Sequence, residues 1–234
     1  MLIHLLKGFA IVCCSIFTIS EVSGQSRLDR VSFDFMRLEN NDEAVDTLSG
    51  KAYFFSDKLH LHVYQPVNQV LFIDGTDMKV FYPETNRGYH MKSQSAFDLP
   101  IVNSLIASLN DDYGLTKIGF QVQSNSISGD TLITQWEHET GSDAGVFTIY
   151  YLDDLIAKAS FEAHDNSLLE TELKNYEPFG NYSLPTQIIT KRNSAKGTSI
   201  EHLYVKNIII TPNMPDSIKN FTYPDDASIE IREF

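Results

Sequence analysis

Residues 50–83 read GKAYFFSDKLHLHVYQPVNQVLFIDGTDMKVFYP, and the fold turns on this stretch. Four short runs rich in aromatic and β-branched residues are separated by turn chemistry, at Ser56-Asp57, at Pro66 and at Asp74-Gly75. Asp-Gly is a strong signal for a two-residue hairpin, because both central residues of that turn need φ > 0. The stretch therefore predicts an antiparallel meander. Side chains alternate along a strand, so Leu59, Leu61 and Val63 fall on one face and His60, His62 and Tyr64 on the other. In the next run Val70 and Phe72 alternate with Leu71 and Ile73, which makes both faces apolar. An antiparallel sheet normally keeps one wet face. A doubly apolar strand predicts instead a curved sheet around a filled or ligand-bearing hollow.

Outward from the meander, residues 31–38 alternate apolar and polar and read as a first strand, ended by Asn40-Asn41-Asp42. A short strand follows at 87–92. One short amphipathic helix is predicted at about 99–110. Its apolar residues Leu99, Ile101, Val102, Leu105, Ile106 and Leu109 recur at steps that put them on one side. Pro100 suits a first helical turn, and Asn110-Asp111-Asp112 with Gly114 ends the helix. The remainder reads as strands at 117–124, 130–138, 146–152, 156–163, 168–176, 185–192 and 198–210. Their regular spacing suggests a sandwich or barrel. After Pro212, Pro215 and Pro224, residues 228–232 read as an edge strand. No internal repeat or long linker divides the chain, so residues 25–234 read as a single domain.

Residues 1–24 form a separate object. Lys7, an apolar run over 9–19, and Ser23-Gly24 have the layout of a secretory signal peptide cleaved after Gly24. The apolar run is too short to cross a bilayer. Both cysteines, Cys13 and Cys14, lie inside it, so the mature chain must hold together by its core. Lys+Arg number 18 against 31 Asp+Glu, a net charge of −13. Lys7 and Glu21 both leave with the leader, so the balance persists. It argues against nucleic acid and anionic membrane surfaces as main partners.

Catalytic constellations are not visible. There is no nucleophile elbow, phosphate-cradling glycine loop or zinc spacing. The acidic pairs Asp111-Asp112, Asp153-Asp154 and Asp225-Asp226 fall at turns, where neighbouring acids are turn formers. His60 and His62 point the same way and are compatible with two metal ligands, but no third lies nearby. They read as exposed polar positions. Trp136 reads as core. The expectation is a protein that is not an enzyme and has no cofactor or metal.

An ordered series of segments resembles the periplasmic outer-membrane lipoprotein carrier family (LolA-like). It comprises Ser49-Gly50-Lys51-Ala52-Tyr53-Phe54, Tyr64-Gln65-Pro66, Asp74-Gly75 with Val80-Phe81-Tyr82-Pro83, the Pro100–Leu109 region followed by Asp112-Tyr113, Leu184-Pro185, and Asn220-Phe221-Thr222-Tyr223-Pro224. The resemblance implies a mainly β fold, an open antiparallel half-barrel whose helical lid covers an apolar cavity. It implies a monomeric periplasmic carrier for acyl chains of lipoproteins or other lipids. Its partners would be an inner-membrane release complex and an outer-membrane acceptor. The residues expected to line the cavity are Leu59, Leu61, Val63, Leu71, Ile73 and Val80, with Ile101 and Leu105 from the helix. The strand residues share one face only if the Gln65–Asn68 connection shifts the register by one.

Two features depart from the family. Only Gln25–Arg30 separate the leader from the first strand, where family carriers have an amphipathic helix. Ser56 and Asp57 occupy the place of an Arg-Pro pair that is tied to lid gating in the family. These departures keep open an alternative role on the same fold, an envelope lipid or lipoprotein sensor or adaptor acting through a protein partner.

Overall fold

The computed structural model describes residues 30–41, 44–97, 102–141, 145–195 and 197–233. Residues 1–24, read above as a leader, residues 25–29, and positions 98–101 with Leu99, Pro100 and Ile101 lie outside the described residues.

The described residues form one open sheet of fourteen strands. These are β1 (Arg30–Asn41), β2 (Ala44–Phe55), β3 (Lys58–Gln65), β4 (Gln69–Asp74), β5 (Asp77–Tyr82), β6 (Arg87–Lys92), β7 (Phe120–Ser128), β8 (Thr131–His138), β9 (Val146–Leu152), β10 (Leu155–Glu162), β11 (Leu168–Phe179), β12 (Tyr182–Ser194), β13 (Gly197–Ile210) and β14 (Ser228–Glu233). The helices are α1 (Asn103–Ala107) and α2 (Asp216–Lys219). The spatial order is β14-β6-β5-β4-β3-β2-β1-β13-β12-β11-β10-β9-β8-β7. The meander thus grows outward from β1 on one side. A second meander, run in reverse from β13, grows on the other. Only the β14–β6 pair is parallel. The sheet does not close, so β14 and β7 are its edges, and the result is an open half-barrel and not a sandwich.

The strand β1 is the keel. Its inward residues Val31, Phe33 and Phe35 are buried, and they pair across to Phe54, Ala52 and Gly50 of β2. Beyond β2 the register sets Leu59 opposite Ile73 and Leu61 opposite Leu71, and Leu71 opposite Val80. Cross-strand partners share a face, so Leu59, Leu61, Val63, Leu71, Ile73 and Val80 stand together on the inside. Val102 and Leu105 press onto the same core from the helix side.

The double apolarity of β4 has a different cause from the one expected. Its outer face does not border a hollow. It is covered by residues 211–227, which return across the outside of β2–β6 as a strap before β14 joins the edge beside β6. Met214, Phe221, Phe55, Phe72 and Phe81 form a second buried cluster there. Burying an aromatic or aliphatic side chain of this size contributes about 1.5–3 kcal/mol. Polar ties fix the strap. Lys79 Nζ donates to the Phe221 carbonyl at 3.2 Å, and the Tyr223 hydroxyl donates to the Tyr89 carbonyl at 2.7 Å. Gly88 leaves room for it, since a Cβ there would stand 2.6 Å from the Tyr223 ring and 2.7 Å from Ile229.

His60 is a correction. It is buried, not exposed, with Tyr53, Phe72 and Phe221 edge-on around it. Its Nδ1–H donates to the Ile218 carbonyl of the strap at 3.1 Å. His62 instead bonds Asn68 at 3.1 Å. Burial lowers the His60 pKa below its ordinary value of 6.5.

Three local expectations also shift. The turn with two left-handed residues is Ser56-Asp57, at φ 48° and 61°. Asp74 stays in the ladder opposite Lys58, to which it is ion-paired at 2.7 Å, so the next turn is centred on Gly75-Thr76 with Gly75 at φ 58°. The helix at 99–110 is described only as Asn103–Ala107. Side chains end it early, because Ser108 donates to the Leu105 carbonyl at 2.7 Å and Asn110 to the Ile106 carbonyl at 3.1 Å. The strand expected at 117–124 begins at Phe120, because Thr116–Ile118 is a 3₁₀ turn closed by left-handed Gly119.

Candidate functional site

A cavity of about 540 Å³ opens on the inner face of the other half of the sheet. The strand register explains which side chains meet there. One row crosses the sheet as Arg37, Leu203, Ile188. The next runs Glu39, Glu201, Thr190, Thr171, Ala159. The outermost runs Arg192, Leu169, Phe161, Phe147. All of these residues line the cavity, and Asn103, Ser104 and Ala107 of α1 and Tyr113 roof it.

The wall is apolar on one side and polar on the other. Phe147 and Phe161 pack at 5.3 Å between ring centres, with Leu169 beside them. Across from them the charges gather. Glu39 and Glu201 are direct cross-strand partners, an arrangement that destabilises a sheet when left uncompensated. Arg37 compensates it, with nitrogens 2.5 Å from Glu39 and 3.4 Å from Glu201. Arg192 makes no ion pair among the described residues.

The roof is held by local chemistry. Tyr113 adopts a left-handed backbone at φ 55°, a conformation that costs a bulky residue roughly 1–3 kcal/mol. Asp112 supports this loop by accepting from the Gly114 N–H at 2.8 Å and the Thr116 N–H at 3.1 Å. Burial pushes the Asp112 carboxyl up, but these bonds outweigh it and hold the group below its usual range. Burial raises the Tyr113 phenol, and hydrogen bonds with Ser104 and Thr171 oppose that rise. A belt of hydroxyls from Thr171, Thr190, Ser104 and Tyr113 therefore runs across the middle of the cavity.

The residues expected from the sequence to line a cavity stand elsewhere on the inner face. Leu59, Leu61, Val63, Ile73 and Leu105 lie in the packed core, Leu71 packs against it, and Val80 is buried on the same face. None of these seven lines the cavity. Ile101 lies outside the described residues. The cavity side chains come from strands the sequence did locate, but no local signal says that Phe147, Phe161 and Leu169 fall in one row. That depends on the pairing of three hairpins. Among the described residues no three His, Cys, Asp or Glu gather as a metal site. No described helix is long and apolar enough to cross a membrane.

No family model matches the sequence, and no curated protein matches it significantly. Solved structures do match. A LolA superfamily protein from Nitrosomonas europaea superposes with a TM-score of 0.56 at 18% identity, over 85% of this chain and 91% of that one. The fold is LolA-like. A DUF1329 family protein from Desulfovibrio piger gives a TM-score of 0.55 at 14% identity, over 84% of this chain and 91% of its own. A domain from Vibrio parahaemolyticus assigned to outer membrane lipoprotein sorting gives 0.51 at 8% identity, over 82% and 90%. The LolA-like sheet is shared along most of its length in each case, and the half-barrel expected from the resemblance is the one observed.

Proposed function

We propose that this protein is a periplasmic carrier that holds the acyl chains of lipoproteins or other lipids, with no reaction of its own. The observation that carries this reading is the cavity of about 540 Å³ on the inside of an open sheet, with Phe147, Phe161, Leu169 and Leu203 on its wall. That volume falls within the range of about 300–1,000 Å³ typical of small-molecule sites. Each methylene moved into such a wall gains roughly 0.8 kcal/mol. A single chain is therefore held usefully, and an unclosed sheet lets it leave. The LolA-like fold and the leader-like residues 1–24 support export to the periplasm.

The test is lipid extraction of the protein purified from bacterial envelopes, followed by mass spectrometry. Co-purifying lipid or lipoprotein is expected. Ala107→Trp, which places an indole in the cavity from α1, should abolish that cargo while leaving thermal unfolding within a few degrees of wild type. Cargo retained undiminished by the Ala107→Trp protein would count against this cavity as the site.

A further inference from the structure

We infer that the cavity selects amphiphiles with an anionic head, a carboxylate or a phosphate, and that Arg192 receives that head. This rests on the carrier reading above. The inward residues of β12 change character along the strand. Ile188 is 2% exposed, Thr190 is 7% exposed, and Arg192 is exposed. Apolar, hydroxyl and guanidinium groups thus follow one another from the floor of the cavity to its mouth. An amphiphile has the same order: tail, ester or hydroxyl oxygens, head.

The two arginines lining the cavity are not equivalent. Arg37 is committed to Glu39 and Glu201, whose mutual repulsion it relieves. Arg192 has no carboxylate partner among the described residues, although the chain carries 31 acids against 18 Lys and Arg. A guanidinium left unpaired in so acidic a protein, at the rim of an apolar cavity, is a ready donor for a planar or tetrahedral oxyanion. Directly across the sheet from it stand Leu169, Phe161 and Phe147, where the first carbons of the tail would lie. Thr171 and Thr190, buried cross-strand partners, stand one row deeper, toward Ile188 and Leu203. A bare hydrocarbon would leave their hydroxyls without a ligand partner.

The experiment compares cis-parinarate with its methyl ester, which has the same tail and no charge, by fluorescence titration of the delipidated protein. Wild type should bind the acid about fivefold to tenfold more tightly than the ester, as one exposed charge-assisted contact allows. Arg192→Gln should remove that preference by weakening the acid more than the ester. Glu201→Gln, which takes one negative charge from the cavity wall and leaves Arg37 paired to Glu39, should widen the preference. Displacement by palmitate and by lysophosphatidate tells which oxyanion is favoured, and either outcome keeps the inference. Equal binding of acid and ester by wild type, or an undiminished preference in Arg192→Gln, overturns it while the carrier reading stands. Failure of both probes to bind overturns the inference and the carrier reading together.

Discussion

In β3, β4 and β5 both faces of the sheet are covered. Leu59, Leu61 and Ile73 meet the β1 aromatics and Leu105 on the inside, while Phe72 and Phe81 meet the strap on the outside. In β9, β10 and β11 the inner face joins the core at Ile149, Ile156 and Leu173 but opens further along, and no strap covers the outer face among the described residues. Inside, Phe147 and Phe161 border the cavity. Outside, Tyr150, Lys158, Glu170, Glu172 and Lys174 make only cation–π and ion-pair contacts near water. The same strand geometry thus yields a clamped half and a hollow half. The first is a close-packed platform. The second keeps open space against Phe147 and Phe161.

The largest expected effect tests the platform. Phe33→Ala removes a fully buried ring from the centre of β1 and should lower stability by about 3–5 kcal/mol in urea unfolding. Phe161→Ala, already facing open space, should lose about half as much or less, since part of the cavity cost exists beforehand. Equal losses at the two positions would break the contrast between the halves.

Next in size is the strap. Phe221 touches Phe72, Phe81, Tyr223 and His60. Phe221→Ala should cost about 2–4 kcal/mol and expose residues 211–227 to limited proteolysis before the rest of the chain. Cleavage confined elsewhere would show that the outer face of β4 does not depend on the strap.

The strap also brings a pH dependence. Burial depresses the His60 pKa in the folded protein, so the unfolded chain binds a proton more readily. The folded state therefore loses stability as pH falls below about 6.5, and the loss continues to the lower folded pKa. The charged neighbours do not oppose this. His62 lowers the value further, and Lys79 lies over Phe72 beside the same strap. A His60→Gln protein should lose most of this dependence between neutral and mildly acidic pH. An unchanged pH profile would show that His60 is not its source.

How much of this was legible depends on whether the signal was local. The strand runs 87–92 and 146–152 coincide with β6 and β9 because turn residues bound each of them, Glu84-Thr85-Asn86 before the first and Asp153-Asp154 after the second. The common face of Leu59, Leu61 and Val63 with Leu71, Ile73 and Val80 followed from the alternation plus one register condition, which the Gln65–Asn68 connection meets. The burial of His60 was not legible. It depends on Ile218 and Phe221, some 160 residues away along the chain. The cavity was illegible for the same kind of reason. The apolar character of Phe147, Phe161 and Leu169 is visible residue by residue, but it reads the same whether the space they face is filled or empty.

The smallest expected effect probes the outer face of the hollow half. Lys158 and Glu170 are cross-sheet ion-pair partners, each with about a quarter to a third of its side chain exposed. A pair so placed contributes about 0–1 kcal/mol, and salt screens it. Glu170→Gln should therefore shift stability by less than about 1 kcal/mol, with the difference fading at high ionic strength. A loss several times larger, insensitive to salt, would mean that this face is desolvated in solution, as the outer face of β4 is under its strap. The two halves would then differ only in what covers them, and the cavity would owe its emptiness to the inner residues alone.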